Sequence, residues 1–208
     1  MIRTSTFSDA GGHATNEDAF LANPLVGDEE GKFVCLADGQ GGRSGGAKAA
    51  RLACDSAGLL FYIFKRPWAN LLEGADRAVA ENKDAGLTTL VGFDVSADHI
   101  QGASCSDSAV LAVCGSGAVA ELTQHQHKNP PVGSGNAVFV PFAMRLVRPW
   151  KVLAMTDGVW KYVGWDRVRG LATRLCGEEL LAALQAAARL PRSGQFPDDF
   201  TVVLIEAD

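Results

Sequence analysis

Acidic residues placed at the ends of apolar runs are the chemistry-bearing feature of this 208-residue chain. Leu36-Ala37-Asp38-Gly39 closes one such run, and Val152-Leu153-Ala154-Met155-Thr156-Asp157-Gly158 closes another. Glu17 and Asp18 precede Ala19-Phe20-Leu21-Ala22, and Asp198 and Asp199 precede Phe200-Thr201-Val202-Val203. If the apolar runs are antiparallel strands, ends that finish in an acid and ends that begin with one share a rim. Asp107, in the turn Ser106-Asp107-Ser108, reaches the same rim if its hairpin points that way. Four carboxylates about 6 Å apart form six pairs, each repelling by roughly 3 kcal/mol at an effective dielectric of about 20, on the order of 15 kcal/mol in all. That matches a domain's whole stability of about 5 to 15 kcal/mol. Such a cluster must protonate or bind cations, and an all-oxygen donor set without His or Cys favours Mg²⁺ or Mn²⁺ over zinc. Two ions about 3.5 to 4 Å apart, sharing a carboxylate and a water, make hydroxide available near neutral pH and suit in-line attack on a phosphate ester. Taken singly, each of these acids reads as a turn or a solvated loop residue. Only their combination points to a site.

The elements that must position them follow from periodicity. Strands are expected at Ile2 to Phe7, Ala19 to Ala22 (ended by Asn23-Pro24) and Lys32 to Ala37. Gly46 to Phe64 and Trp68 to Asn82 carry apolar residues at three- and four-residue spacing and read as helices divided by Pro67. Leu87 to Val95, His99 to Cys105, Ala109 to Cys114 and Ala118 to Leu122 are short alternating runs joined by turn residues, an antiparallel meander. Thr123 to Gly135 reads as a loop, Ala137 to Phe142 and Lys151 to Met155 as strands, Trp165 to Leu175 and Glu178 to Leu190 as helices, and Phe200 to Glu206 as the last strand. The class is α+β, an antiparallel sheet with helices on its outer faces.

Composition excludes several alternatives. At 47% hydrophobic and 21% charged, the chain suits one globular domain over residues 1–208. A net charge of -5, with no Lys/Arg block, argues against nucleic acid or an anionic membrane as partner. No apolar run approaches the ~20 residues of a membrane span, and the N-terminus lacks a secretory core, so a cytoplasmic protein is expected. The five cysteines, with no C-x-x-C pair, read as reduced core residues. The glycine loop from Gly39 to Gly46 could instead cradle a nucleotide, yet neither G-x-x-x-x-G-K-[ST] nor G-x-G-x-x-G is completed.

In order and spacing, the acidic motifs resemble those of the metal-dependent protein phosphatase family, the protein phosphatase 2C type. Asn16-Glu17-Asp18-Ala19, Ala37-Asp38-Gly39-Gln40-Gly41-Gly42, Thr88-Thr89-Leu90, Thr156-Asp157-Gly158-Val159-Trp160 and Asp198-Asp199-Phe200-Thr201 carry the likeness across nearly the full chain. The resemblance implies a central sandwich of two antiparallel β-sheets flanked by helix pairs, in α-β-β-α layers. It also implies a serine/threonine phosphatase with two Mn²⁺ or Mg²⁺ ions, and a third held more weakly. By motif position Asp38 bridges the pair, Asp157 and Asp198 bind one ion, and Glu17 or Asp18 with the Gly39 carbonyl holds the other. Asp38 and Asp157 thereby hold the nucleophilic water, and Asp107 serves the third ion.

Three departures stand out. His13 occupies the place of an arginine that clamps the substrate phosphate, so the bidentate fork is missing and the imidazole is either a phosphate contact or a solvated loop residue. Ser106 replaces a glycine before Asp107. The segment 123–150 is short, which implies a reduced flap. Arg43 is a candidate for charge beside the phosphate. A phosphorylated protein is the expected partner, with the chain a monomer. The competing possibility is a phosphoprotein-binding module that keeps the fold without turnover.

Overall fold

The computed structural model describes residues 1–12, 15–40, 44–64 and 67–208. In chain order the elements are β1 (Ile2–Asp9), β2 (Asp18–Leu25), β3 (Asp28–Asp38), α1 (Gly46–Ile63), α2 (Trp68–Ala80), β4 (Leu90–Val95), β5 (His99–Cys105), β6 (Ala109–Cys114), β7 (Val119–Glu121), β8 (Val140–Arg145), β9 (Trp150–Met155), α3 (Asp157–Val163), α4 (Trp165–Arg174), α5 (Gly177–Ala188) and β10 (Phe200–Ala207).

Two five-stranded antiparallel sheets result, ordered β1-β10-β9-β6-β7 and β2-β3-β4-β5-β8. Strand alternation sorts the core into three layers. Along β3, Phe33, Cys35 and Ala37 pack under α1 and α2 with Trp68, Leu72 and Ala53. Val34 and Leu36 face the other way, meeting Val110, Val152, Val203 and Ile205 between the sheets. Beyond the second sheet, Leu153, Met155, Val202 and Leu204 bury against Val159, Val168 and Leu181 of α3, α4 and α5. The expected α-β-β-α sandwich is the observed one. Inner strands such as β6 and β10 are buried along their whole length because both their faces are covered, whereas the edge strand β8 alternates.

Four local expectations need correction. The meander divides in two: β4 pairs with β5 and β6 with β7, but β5 and β6 belong to different sheets. Ser106-Asp107-Ser108 therefore crosses between sheets instead of turning a hairpin. All six residues of β6 are buried, so alternation could not assign its partners. Second, β2 continues through Pro24 to Leu25, with a register shift at that point. The proline is tolerated because β2 lies at a sheet edge. Third, the last strand of that sheet begins at Val140, not Ala137, and it too is an edge carrying a proline, Pro141. Fourth, α3 is an additional helix that starts at Asp157 itself.

Candidate active site

The sandwich has one end where strands terminate in acids. Asp18 opens β2 directly opposite Asp38, which closes β3. The Asp38 backbone is fastened on both sides: its N–H donates to Thr89 Oγ1 (2.8 Å), while its carbonyl accepts from Thr89 N–H (2.9 Å) and Thr88 Oγ1 (2.7 Å). Thr89 Oγ1 in turn meets Ser108 Oγ at 2.6 Å, joining the start of β4 to the inter-sheet crossing. From the facing sheet, Thr156 at the end of β9 donates to Asp18 Oδ2 (3.0 Å) and accepts from Thr201 N–H (3.1 Å). Asp157 follows as the first residue of α3.

Asp198 and Asp199 enter β10 with different duties. The Asp199 carboxylate, 5% exposed, accepts from Gly11 N–H (2.8 Å) and Glu17 N–H (2.7 Å), so it anchors the loop that delivers Glu17 and Asp18. Glycine is required where these segments touch. A Cβ at Gly11 would collide with the Asp198 carbonyl and one at Gly158 with the Asp199 carbonyl. Gly39 is similarly enclosed, by the Glu17 carbonyl and the backbone of Gly46.

A cavity of about 480 Å³ opens between these ends, and Asp38, Asp107, Asp157, Asp198 and Asp199 all line it, with Gly39 on its wall. Glu17 and Asp18 stand behind it. Glu17 Oε2 and Asp18 Oδ1 are buried and without a hydrogen-bond partner among the described residues. Asp107 forms an ion pair with Lys128 (2.7 Å) and Asp157 one with Lys161 (3.5 Å). Trp160 Nε1 donates to the Asp107 carbonyl at 3.0 Å, tying α3 to the crossing. His13 and Arg43 lie outside the described residues. His125 and His127 are exposed loop residues.

Electrostatics follow from this crowding. Burial, then the neighbouring Asp18 and Asp157, pushes the Asp38 carboxyl up to about 9. Burial also pushes Asp18 up to about 7, against the hydrogen bonds of Thr201 and Thr156. Asp157 is raised for the same first reason, with Lys161 opposing. An ionised carboxylate in such a place calls for a cation. The donor set suits a hard divalent ion: carboxylate and carbonyl oxygens, two of the carboxylate oxygens buried and without a partner among the described residues. Among the described residues, no group of three or more His, Cys, Asp or Glu is spaced to hold an ion as it stands.

Two contributors escaped the sequence reading. Thr89 was visible only as a strand opening and Asp199 only as the neighbour of Asp198; both act by hydrogen bonds to backbone far away in the chain. For Thr89→Val, which leaves the Asp38 N–H without its acceptor, we expect a loss of about 1 to 2 kcal/mol by urea denaturation. Activity should fall roughly tenfold as Asp38 loosens.

No protein-family model matches the chain, and no curated protein matches it. Solved structures do. A bacterial serine phosphatase superposes with a TM-score of 0.81 at 19% identity, covering 100% of this chain and 98% of its own. The serine/threonine phosphatase Stp1 from Staphylococcus aureus gives 0.79 at 18%, covering 100% and 96%. The catalytic domain of the serine threonine protein phosphatase PstP, in complex with two manganese ions, gives 0.75 at 17%, covering 99% and 97%. At such identities the likeness is one of fold.

Proposed function

We propose that this chain is a Mn²⁺- or Mg²⁺-dependent protein-serine/threonine phosphatase of the protein phosphatase 2C type, acting as a single-domain cytoplasmic monomer on phosphorylated proteins. One observation carries the proposal: acids from the ends of strands in both sheets, Asp38, Asp157 and Asp198, line one cavity. The fold shared with bacterial serine/threonine phosphatases supports it, as does the pair of manganese ions in PstP. Among the described residues no helix is long and apolar enough to cross a membrane.

Asp38 would bridge two ions, Asp157 and Asp198 would hold one, and Glu17 or Asp18 with the Gly39 carbonyl would hold the other. Two such ions supply Lewis acidity that lowers the pKa of a water and neutralises charge on the phosphoryl oxygens. The chain's own part is orientation. Thr88 and Thr89 fix the Asp38 backbone, Thr156 turns Asp18, and Asp199 holds the Glu17 loop. Among the described residues that line the cavity, the hydroxyls of Thr88, Thr89 and Ser106 are hydrogen-bonded to the Asp38 carbonyl, Ser108 and the Lys128 carbonyl. Direct attack by water, with no phosphoenzyme, is the route this two-ion reading assigns.

The test is hydrolysis of a phosphoserine peptide and an aryl phosphate. Turnover should vanish with EDTA, return with Mn²⁺, and drop about a hundredfold in Asp157→Asn. Turnover that survives chelation would overturn the proposal. Tight phosphopeptide binding without turnover would favour the binding module.

A further inference from the structure

Lys128 lies in the loop between β7 and β8, and that loop is strapped to the cavity wall at two points. Ser106 N–H donates to the His127 carbonyl (2.8 Å) and Ser106 Oγ to the Lys128 carbonyl (3.1 Å). Further on, Val132 and Thr88 exchange two backbone hydrogen bonds, both 3.0 Å. Ser106 has a φ of 83°, a conformation that favours glycine. Its hydroxyl supplies the bond to Lys128 that a glycine could not. Among the described residues that line the cavity, Lys128 is the sole basic side chain, set against five aspartates.

Its ammonium sits 2.7 Å from Asp107 Oδ2, with the lysine side chain 73% exposed and the aspartate 23%. An exposed ion pair contributes little to folding, while the Ser106 bonds fix the loop backbone at His127 and Lys128 beside Asp107. An ammonium has three donors, and Asp107 accepts from one. A phosphate monoester brings about 1.5 to 2 negative charges into this acid-lined cavity. Lysine binds phosphate as a point charge, without needing a bidentate geometry.

We infer that Lys128 is a substrate-binding residue: with its backbone fixed by Ser106 and its ammonium paired with Asp107, it contacts the phosphate of the phosphoester and occupies the carboxylate expected to serve a third ion. This rests on the phosphatase reading for its substrate, and it gives the short loop a role in binding. The lysine acts on the phosphate itself, so its contribution should be the same whatever carries the phosphate.

The experiment compares wild type with Lys128→Ala and Lys128→Arg. Lys48→Ala serves as control, since it removes an exposed lysine paired with Asp84. Steady-state kinetics are run with Mn²⁺ on a phosphoserine peptide and an aryl phosphate. Calorimetry gives the affinity of the Mn²⁺-loaded proteins for inorganic phosphate, and the number of Mn²⁺ ions each protein takes up. For Lys128→Ala, KM for both substrates should rise about tenfold, phosphate affinity should fall by a similar factor, and kcat should change less. Lys128→Arg should recover most of the loss and Lys48→Ala should match wild type. With Asp107 released, Lys128→Ala should take up one Mn²⁺ more than wild type.

Unchanged KM and phosphate affinity in Lys128→Ala would overturn the inference, as would an effect confined to the peptide. An Mn²⁺ count unaltered by the substitution would remove the claim on Asp107. A wild type without Mn²⁺-dependent turnover would defeat the phosphatase reading, while the phosphate calorimetry still decides whether Lys128 binds the anion.

Discussion

Asp38→Asn is expected to lower Mn²⁺-dependent kcat by roughly a thousandfold and, in EDTA, to leave the protein more stable than wild type. Both effects come from the same carboxylate. Its backbone is held by Thr88 and Thr89, bonds that an isosteric asparagine keeps. The side chain is what changes. Burial and the nearby Asp18 and Asp157 push its carboxyl up to about 9, so at neutral pH the chelated protein must retain a proton there or bear an unfavourable charge. Asparagine requires neither. Relief of about 1 to 2 kcal/mol would raise Tm in EDTA by about 2 to 8 °C for a chain of this size. With Mn²⁺ the order reverses. Wild type gains stability according to the ratio of ion concentration to Kd, whereas the variant, lacking the bridging carboxylate, shows little shift. Thermal scans of both proteins with EDTA and with Mn²⁺ test this directly. A variant that is less stable in EDTA, yet still shifts with Mn²⁺, would mean that Asp38 is a structural acid and not an ion ligand.

The strand-end acids were legible because strand ends are. Asp38 and Asp157 close apolar runs, Asp18 and Asp198 stand where others begin, and antiparallel pairing leaves little choice about which ends meet. Composition and alternation likewise carried the α+β class and the helical cover over β3. Partnership of buried strands was not legible. β6 is buried along its whole length, so no alternation marks its partner, and only the assembled sandwich shows that Asp107 lies on a crossing between sheets. α3 escaped because its seven residues are too few for a helical period to emerge. Most hidden were long-range side-chain-to-backbone bonds. Thr89 grips a backbone N–H 51 residues earlier, and Asp199 grips two at separations of 188 and 182. No local pattern records such a partner, because the donor is a peptide group that every residue has.

Asp198 and Asp199 put that distinction to a test, since adjacent acids should fail in opposite ways. Asp199→Asn should destabilise the protein by about 3 kcal/mol, lowering Tm by about 6 to 12 °C at this chain length. The buried carboxylate accepts from Gly11 N–H with one oxygen and Glu17 N–H with the other. An asparagine can satisfy one of them, and its NH₂ then confronts the second as donor against donor. The loop carrying Glu17 and Asp18 would lose half its anchor, so activity should fall as well, but as a consequence of loosening. Asp198→Asn should behave otherwise. Among the described residues its Oδ1 accepts only from Asp199 N–H (3.1 Å), a bond the amide oxygen preserves, so Tm in EDTA should stay within about 2 °C of wild type. The Mn²⁺-induced rise in Tm and the turnover should both collapse. Denaturation in EDTA, followed by Mn²⁺ titration of each variant, separates an acid that holds the chain from one that holds an ion. Equal losses of stability in the two variants would undo the assignment, because two residues with such different partners would then be doing one job.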